Sequence, residues 1–197
     1  MAPPLVWING FPGSGKLTIA KALLERVGQD QVVIDNHQLV DPVGAIVSRS
    51  NPDYQRYRKA YRQRALDRIA VEPDLRRKAV VFTGIATPFF MPSSSLGASA
   101  AADYHNAAST TTRPYLSVIV SLAHSENLKR LRSQEPDDLD ASKLAEQEEL
   151  LVTLRDEGDL YHFGGPDELH LDVTDLLPEE AADRIMAHVR ERCGGFQ

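Results

Sequence analysis

The segment Gly10-Phe11-Pro12-Gly13-Ser14-Gly15-Lys16-Leu17-Thr18 carries the strongest chemical signal in the sequence. Glycines let a backbone wrap closely around an anion and turn its N–H groups inward. A helix that opens where such a loop ends adds the positive end of its dipole. Lys16 supplies a mobile cation for the outer phosphates of a nucleotide. Gly10, Pro12, Gly13, Ser14, Gly15, Lys16, Leu17 and Thr18 are therefore the candidate phosphate-binding residues, with ATP or GTP as the ligand such a cradle fits. The plain alternative is a glycine-rich turn that only caps a helix. The setting decides between them, because the loop follows an apolar strand pattern and precedes a helical one.

The elements that must position this loop read as alternating strands and helices, the pattern of an α/β chain with a parallel sheet. Strands are expected at Leu5–Asn9, Gln31–Ile34, Ala79–Thr83, Leu116–Leu122 and Leu169–Val173. Leu116–Leu122 is continuously apolar except for Ser117 and Ser121, which suits a central strand buried on both faces. Helices are expected at Lys16–Val27, Asp53–Ile69, Ala98–Ala108, Ser125–Arg132, Ala141–Arg155 and Pro178–Arg192. The stretch Thr83–Ser95 reads as mostly loop, Glu135–Asp140 as an acidic break and Gly164-Gly165-Pro166 as a turn. Five strands separated by helices predict one domain, residues 1–197, built as a three-layer α/β/α sandwich. Crossovers should be right-handed, and ligands should sit at the carboxyl ends of the strands.

The form Gly-Phe-Pro-Gly-Ser-Gly-Lys-Leu-Thr resembles the adenylate-kinase type of P-loop, Gly-x-Pro-Gly-x-Gly-Lys-Gly-Thr. In that type, too, no hydroxyl follows the lysine directly, so Leu17 does not weigh against nucleotide binding, and Thr18 becomes the candidate Mg2+ contact, partly through water. The resemblance is to the P-loop kinase superfamily of nucleoside monophosphate, shikimate and gluconate kinases. It is specific in the loop and architectural elsewhere. It implies a five-stranded parallel sheet in the order 2-3-1-4-5 and a helical lid, here at about 134–163.

The resemblance also implies where further site residues lie. The end of the second strand faces the acceptor in such kinases, which makes Asp35 a candidate to orient an acceptor hydroxyl and take its proton, or to join the metal shell. A turn-forming cap is the plain alternative. His37 and Thr83 are candidate acceptor contacts, weighed against an exposed loop histidine and an ordinary strand-end threonine. Helix 53–69 carries Tyr54, Tyr57, Tyr61 and Ala65 at helical spacing, with Arg56, Lys59, Arg62 and Arg64 opposite. That basic face reads first as a solvated surface, and Arg58, beside Tyr57, is its best acceptor candidate. Lid arginines follow the fourth strand in the superfamily, so Arg130 and Arg132 are candidates for phosphate contacts, with surface solvation as the alternative. Val173 and Thr174 should border the nucleotide base. No Asp or Glu lies between Ala79 and Ser95, so the acid usual after the third strand of such enzymes is missing.

Composition narrows the function classes. A 197-residue chain with 42% hydrophobic and 25% charged residues buries a core without staples. The net charge of −6 argues against a nucleic-acid partner. Cys193 is the single cysteine and reads as a bystander. No apolar run is long enough to span a membrane, and the first residues lack the pattern of a cleavable leader. The expectation is a cytoplasmic protein that meets a nucleotide and a small acceptor. Three functions stay open: a kinase for a small-molecule hydroxyl, a nucleoside monophosphate kinase, and a non-catalytic regulatory nucleotide-binding protein. Against the second, the acceptor motif Asp-Gly-Phe-Pro-Arg is absent.

Overall fold

The computed structural model describes residues 2–28, 31–86, 96–133, 141–156 and 158–196. Five parallel strands, β1 (Leu5–Gly10), β2 (Val32–Ile34), β3 (Val80–Gly84), β4 (Tyr115–Ser121) and β5 (Glu168–Asp172), form one sheet in the order β2-β3-β1-β4-β5. The helices are α1 (Lys16–Val27), α2 (Asn36–Gly44), α3 (Tyr54–Val71), α4 (Pro73–Arg76), α5 (Leu96–Thr110), α6 (His124–Arg132), α7 (Ala141–Asp156) and α8 (Pro178–Cys193).

Strand periodicity sorts the core into layers. Val6 and Ile8 of β1 face one side of the sheet and pack with Ile19, Ala20 and Leu23 of α1 and Ala182, Ile185 and Val189 of α8. Leu5 and Trp7 face the other and pack with Leu66 and Ile69 of α3 and Ala101, Tyr104 and Ala108 of α5. Successive side chains of a strand point to opposite faces, so a strand covered by helices on both sides must be apolar throughout. All six residues of β1 are buried. Each fully buried aliphatic side chain contributes about 1.5–3 kcal/mol. A third cluster joins Phe11 of the phosphate loop and Ile119 of β4 to Leu131, Leu151, Leu154 and Leu160, so α6 and α7 are packed onto the loop itself.

Two features differ from the sequence expectation. α2 begins immediately after Asp35, where only a strand end is expected. Its start is set locally: the Asp35 N–H donates to Gln38 Oε1 at 2.9 Å, and the Gln38 N–H donates to the Asp35 carbonyl at 3.0 Å. Pro42 inside the helix argues against helix from sequence, since it withholds an N–H. The second difference is the face that α3 buries. Tyr57 and Tyr61 are 44% and 42% exposed, whereas Arg62 is buried in a two-nitrogen contact with Asp103 of α5 at 3.0 and 2.6 Å. Lys59 also reaches α5, donating to Ser99 at 3.1 Å. Lys59 and Arg62 thus make an interhelix contact, whereas Arg56 and Arg64 stay exposed, as a solvated face predicts. A buried carboxylate on the facing helix makes that arrangement stable. The acidic stretch 135–140 and most of the loop 83–95 lie outside the described residues.

At the amino ends of the strands, Arg113 donates to the carbonyls of Pro3, Leu75, Pro4 and Lys78. One buried guanidinium thus satisfies chain ends that precede β1 and β3. No helix among the described residues is long and apolar enough to cross a membrane.

Candidate active site

The phosphate loop turns sharply between β1 and α1. Gly13 and Gly15 have φ of +73° and +81°, a region that strains side chains other than glycine. Gly10 is required for a different reason: a Cβ there would lie 2.7 Å from Ser14 Oγ and 3.1 Å from the Val120 carbonyl oxygen. The Ser14 hydroxyl is buried without a hydrogen-bond partner. Lys16 Nζ folds back to donate to the Phe11 carbonyl at 2.9 Å. Burial pulls the Lys16 pKa from the ordinary 10.5 down to about 8, partly offset by the Asp35 carboxylate. An unsatisfied buried hydroxyl, a poorly solvated ammonium with a single carbonyl partner and the first turn of α1 form a set of donors with too few acceptors. That donor set fits a polyphosphate.

Beside the loop, the ends of β2 and β3 bring Asp35, His37 and Thr83 together. The Thr83 hydroxyl donates to Asp35 Oδ1 and accepts the Asn36 N–H at 3.1 Å. His37 Nδ1 lies 2.8 Å from Asp35 Oδ2. Burial pushes the Asp35 pKa up, but hydrogen bonds from His37 and Thr83 outweigh it and hold the group at about 2. The same bond to Asp35 raises the pKa of His37. Tyr104 from α5 is fully covered, its phenol pushed up to about 12 by burial, and it feels the charges of Arg62, Arg58 and Asp35. Arg58 lies over the Tyr54 ring at 5.8 Å and donates to Gln55 at 3.3 Å. Its Nε is buried without a partner, and burial lowers its pKa.

On the other side of the loop, a cleft of about 380 Å3 opens between α1, α6 and α8. Its walls include Gly13, Gly15, Thr18, Ile19, Arg130, Val173, Leu176 and Pro178. Arg130 Nη2 donates to the carbonyls of Val173 and Thr174, each at 2.9 Å, and its Nε donates to Glu126 at 3.0 Å. Thr174 Oγ1 is occupied by the Ala123 N–H and Asp172 Oδ1. Thr18 is exposed on this wall. Arg132 is not drawn into the group: it pairs with Glu148 of α7 at 2.7 and 3.0 Å.

Three residues that carry no motif hold the loop in shape. Asn127 of α6 donates through Nδ2 to the Pro12 carbonyl at 2.6 Å. Arg155 of α7 donates to Asn127 Oδ1 at 3.1 Å and lies 4.8 Å from the centre of the Phe11 ring. Asn9, the last side chain of β1 before the loop, bridges the Ala86 N–H and carbonyl and the Tyr161 carbonyl. The only sequence sign of these is a buried amide among apolar neighbours, clearest at Asn9, where an otherwise apolar strand meets the loop.

Comparison with models of protein families and with curated proteins gives no match. Solved structures do match over nearly the whole chain. The protein APE1195 shares 21% identity with a TM-score of 0.62, covering 96% of each chain. The APS kinase CysC of Mycobacterium tuberculosis, solved in complex with AMPPNP and APS, shares 15% with a TM-score of 0.61, covering 96% of this chain and 98% of that one. A sugar kinase from Janibacter sp. shares 16% with a TM-score of 0.58, covering 98% and 96%. Together with the strand order, these likenesses establish the class: the chain has the fold of the P-loop kinases.

Proposed function

We propose that this protein is a phosphotransferase that moves the γ-phosphoryl group of ATP to a hydroxyl of a small molecule. The observation that carries the reading is the pairing of two charged groups on separate elements. Lys16, which opens α1 after β1, and Asp35, which follows β2, both stand at the carboxyl end of the same parallel sheet. A phosphate on one side and an acceptor on the other would meet between them.

In this reading Lys16 and the loop N–H groups of Gly13–Thr18 hold the phosphates, and Ser14 supplies a further donor. Arg130 and the wall of Val173 and Thr174 flank the base. A flat aromatic ring suits a slot lined by a guanidinium and by Ile19, Leu176 and Pro178. Asp35 accepts a hydrogen bond from the acceptor hydroxyl and orients its oxygen in line with the γ-phosphorus. The new P–O bond forms as the bond to the ADP oxygen breaks, and the hydroxyl proton passes to Asp35 or onward to solvent. A carboxylate held at about 2 is a weak base, which suits a loose transition state in which proton loss comes late. His37 and Arg58 contact the acceptor, while Thr83, fully buried, serves by fixing the Asp35 carboxylate. Magnesium, bound with the nucleotide, would supply positive charge that offsets the charge on the phosphates. Thr18 and Asp35 would hold it largely through water.

Within the expected lid, 134–163, residues 134–140 and 157 lie outside the described residues; α7, seated on Phe11 through Leu151 and Leu154, is the described part that would cover the phosphates. The ATP requirement and the single cysteine fit a cytoplasmic setting.

The test is ³¹P NMR of the purified protein with Mg-ATP and pooled hydroxyl acceptors. A new phosphoester signal, absent in Asp35→Asn, is the expected result. The missing carboxylate after β3 favours one second reading, a regulatory nucleotide-binding protein. Saturable ATP binding with no phosphoester from any acceptor class would support that reading instead.

A further inference from the structure

Three side chains at the sheet edge, apart from the cleft, converge without serving the site above. Glu168 and His170 are two residues apart on β5 and so share a face of that edge strand. His162 comes from the segment between α7 and β5. The Glu168 side chain is only 2% exposed, and its Oε2 is fixed by the Ser117 hydroxyl at 2.8 Å and the Phe163 N–H at 2.8 Å. The remaining oxygen, Oε1, meets His170 Nε2 at 2.9 Å and His162 Nδ1 at 3.5 Å. The two imidazoles lie parallel, 7° apart in plane, with centroids 4.9 Å apart. All three ligand atoms fall within 4.8 Å of one another.

With Oε2 taken up inside the fold, Oε1 is the oxygen left facing outward, and both imidazoles turn a ring nitrogen towards it. We propose that His162, Glu168 and His170 bind a divalent transition ion of the zinc type, with water completing the coordination. Two imidazoles and one carboxylate are borderline ligands that suit zinc rather than magnesium. Tetrahedral zinc, with bonds of about 2.0–2.2 Å, sets its ligand atoms roughly 3.3–3.5 Å apart. The separations of 2.9 and 3.5 Å from Oε1 to the two ring nitrogens lie near this, and the stacked rings, exposed at their outer edges, turn about their side-chain torsions to bring both lone pairs onto the ion.

The surroundings resemble an outer shell. Ser117 and the Phe163 N–H orient the carboxylate, and His162 Nε2 faces Asp159 Oδ2 at 3.8 Å, the sense in which ligating histidines are usually backed. Ser117 is level with Trp7 in β1, while Gly10 is level with Val120. The ion would therefore sit on the order of 10 Å back along the strands from the phosphate loop, and two strands across. It would clip the segment after α7 to β5. Tyr161, next to His162, is already bonded to Ala86 and Asn9.

The experiment uses the full chain, freed of any polyhistidine tag and stripped with a chelator. Co²⁺ is titrated in and followed by its visible ligand-field absorption, and Zn²⁺ is titrated in competition with a chromogenic chelator. One equivalent of each should bind, with a tetrahedral-type cobalt spectrum. His162→Ala and His170→Ala should each weaken binding by about tenfold or more, while Asp35→Asn leaves it unchanged. Both histidines are surface residues, and circular dichroism checks that each variant is folded. The proposal is overturned if neither ion binds saturably, or if the one-equivalent site survives both histidine substitutions. This test is independent of phosphoryl transfer.

Discussion

A lysine drawn down to about 8 by burial costs the ligand-free fold stability wherever it is charged. The unfolded chain binds that proton more tightly, so the cost stands below about 8 and is relieved as pH rises towards the ordinary lysine value. Bound phosphates offset it by restoring favourable charge around the ammonium. It follows that nucleotide affinity falls as pH rises through about 8, and that binding above that point takes up a proton. Calorimetry in buffers of different ionisation enthalpy measures the uptake directly, and Lys16→Ala should abolish it. The same substitution should lower phosphoryl transfer by about 10²–10³-fold while leaving the circular dichroism spectrum intact. Asp35 behaves oppositely. Held at about 2, it stays ionised through neutral pH, and its hydrogen bonds support the fold above the ordinary carboxylate range and are lost as pH falls through about 2. Asp35→Asn should therefore cut transfer by about 10²-fold or more with little change in ATP affinity, read as a fall in kcat.

At the scale of elements, the loop is held by side chains of α6 and α7 that pack against it. Asn127→Ala removes the donor to the Pro12 carbonyl and strips Arg155 of a side-chain partner. A loss of about 1–3 kcal/mol in denaturant unfolding is expected, together with weaker nucleotide binding. Asp103→Ala should cost about 3–5 kcal/mol, because it leaves the Arg62 guanidinium buried and unpaired between α3 and α5. These two predictions mark the limit of what the sequence discloses. The phosphate loop and the five strands are legible because glycine spacing and apolar runs are local signals. The helix α2 is not, because Pro42 masks it and its start rests on a single Asp35–Gln38 exchange. The buried side of α3 is not, because Arg62 reads as solvated until Asp103, 41 positions away, is known to face it. Asn127 and Arg155 belong to no motif, and their roles exist only once α6 and α7 lie against Phe11. Arg130 and Arg132 look equivalent in sequence. Helix geometry sends the first to the carbonyls of Val173 and Thr174 and the second to Glu148.

At the scale of the whole molecule, the sheet places every strand's carboxyl end at one edge. The phosphate loop after β1, Asp35 after β2, Thr83 near the end of β3 and Val173 after β5 come together there for topological reasons. Parallel strands with helical crossovers make that edge the natural ligand site of such folds. The fold does not choose the acceptor: solved neighbours over nearly the same length include an APS kinase and a sugar kinase. On the proposed reading, side chains on α2, α3 and α5 around Asp35 and Tyr104 would make that choice.

The central claim, that Lys16 and Asp35 act across one site on a nucleotide and an acceptor hydroxyl, is tested most directly by ³¹P NMR. Wild-type protein, Lys16→Ala and Asp35→Asn would each be incubated with Mg-ATP and a panel of hydroxyl compounds. The account predicts a new phosphoester resonance with matching ADP in the wild type, strongly reduced in both variants. Equal phosphoester formation in wild type and variants, or ATP left intact by the wild type with every acceptor class, would contradict it.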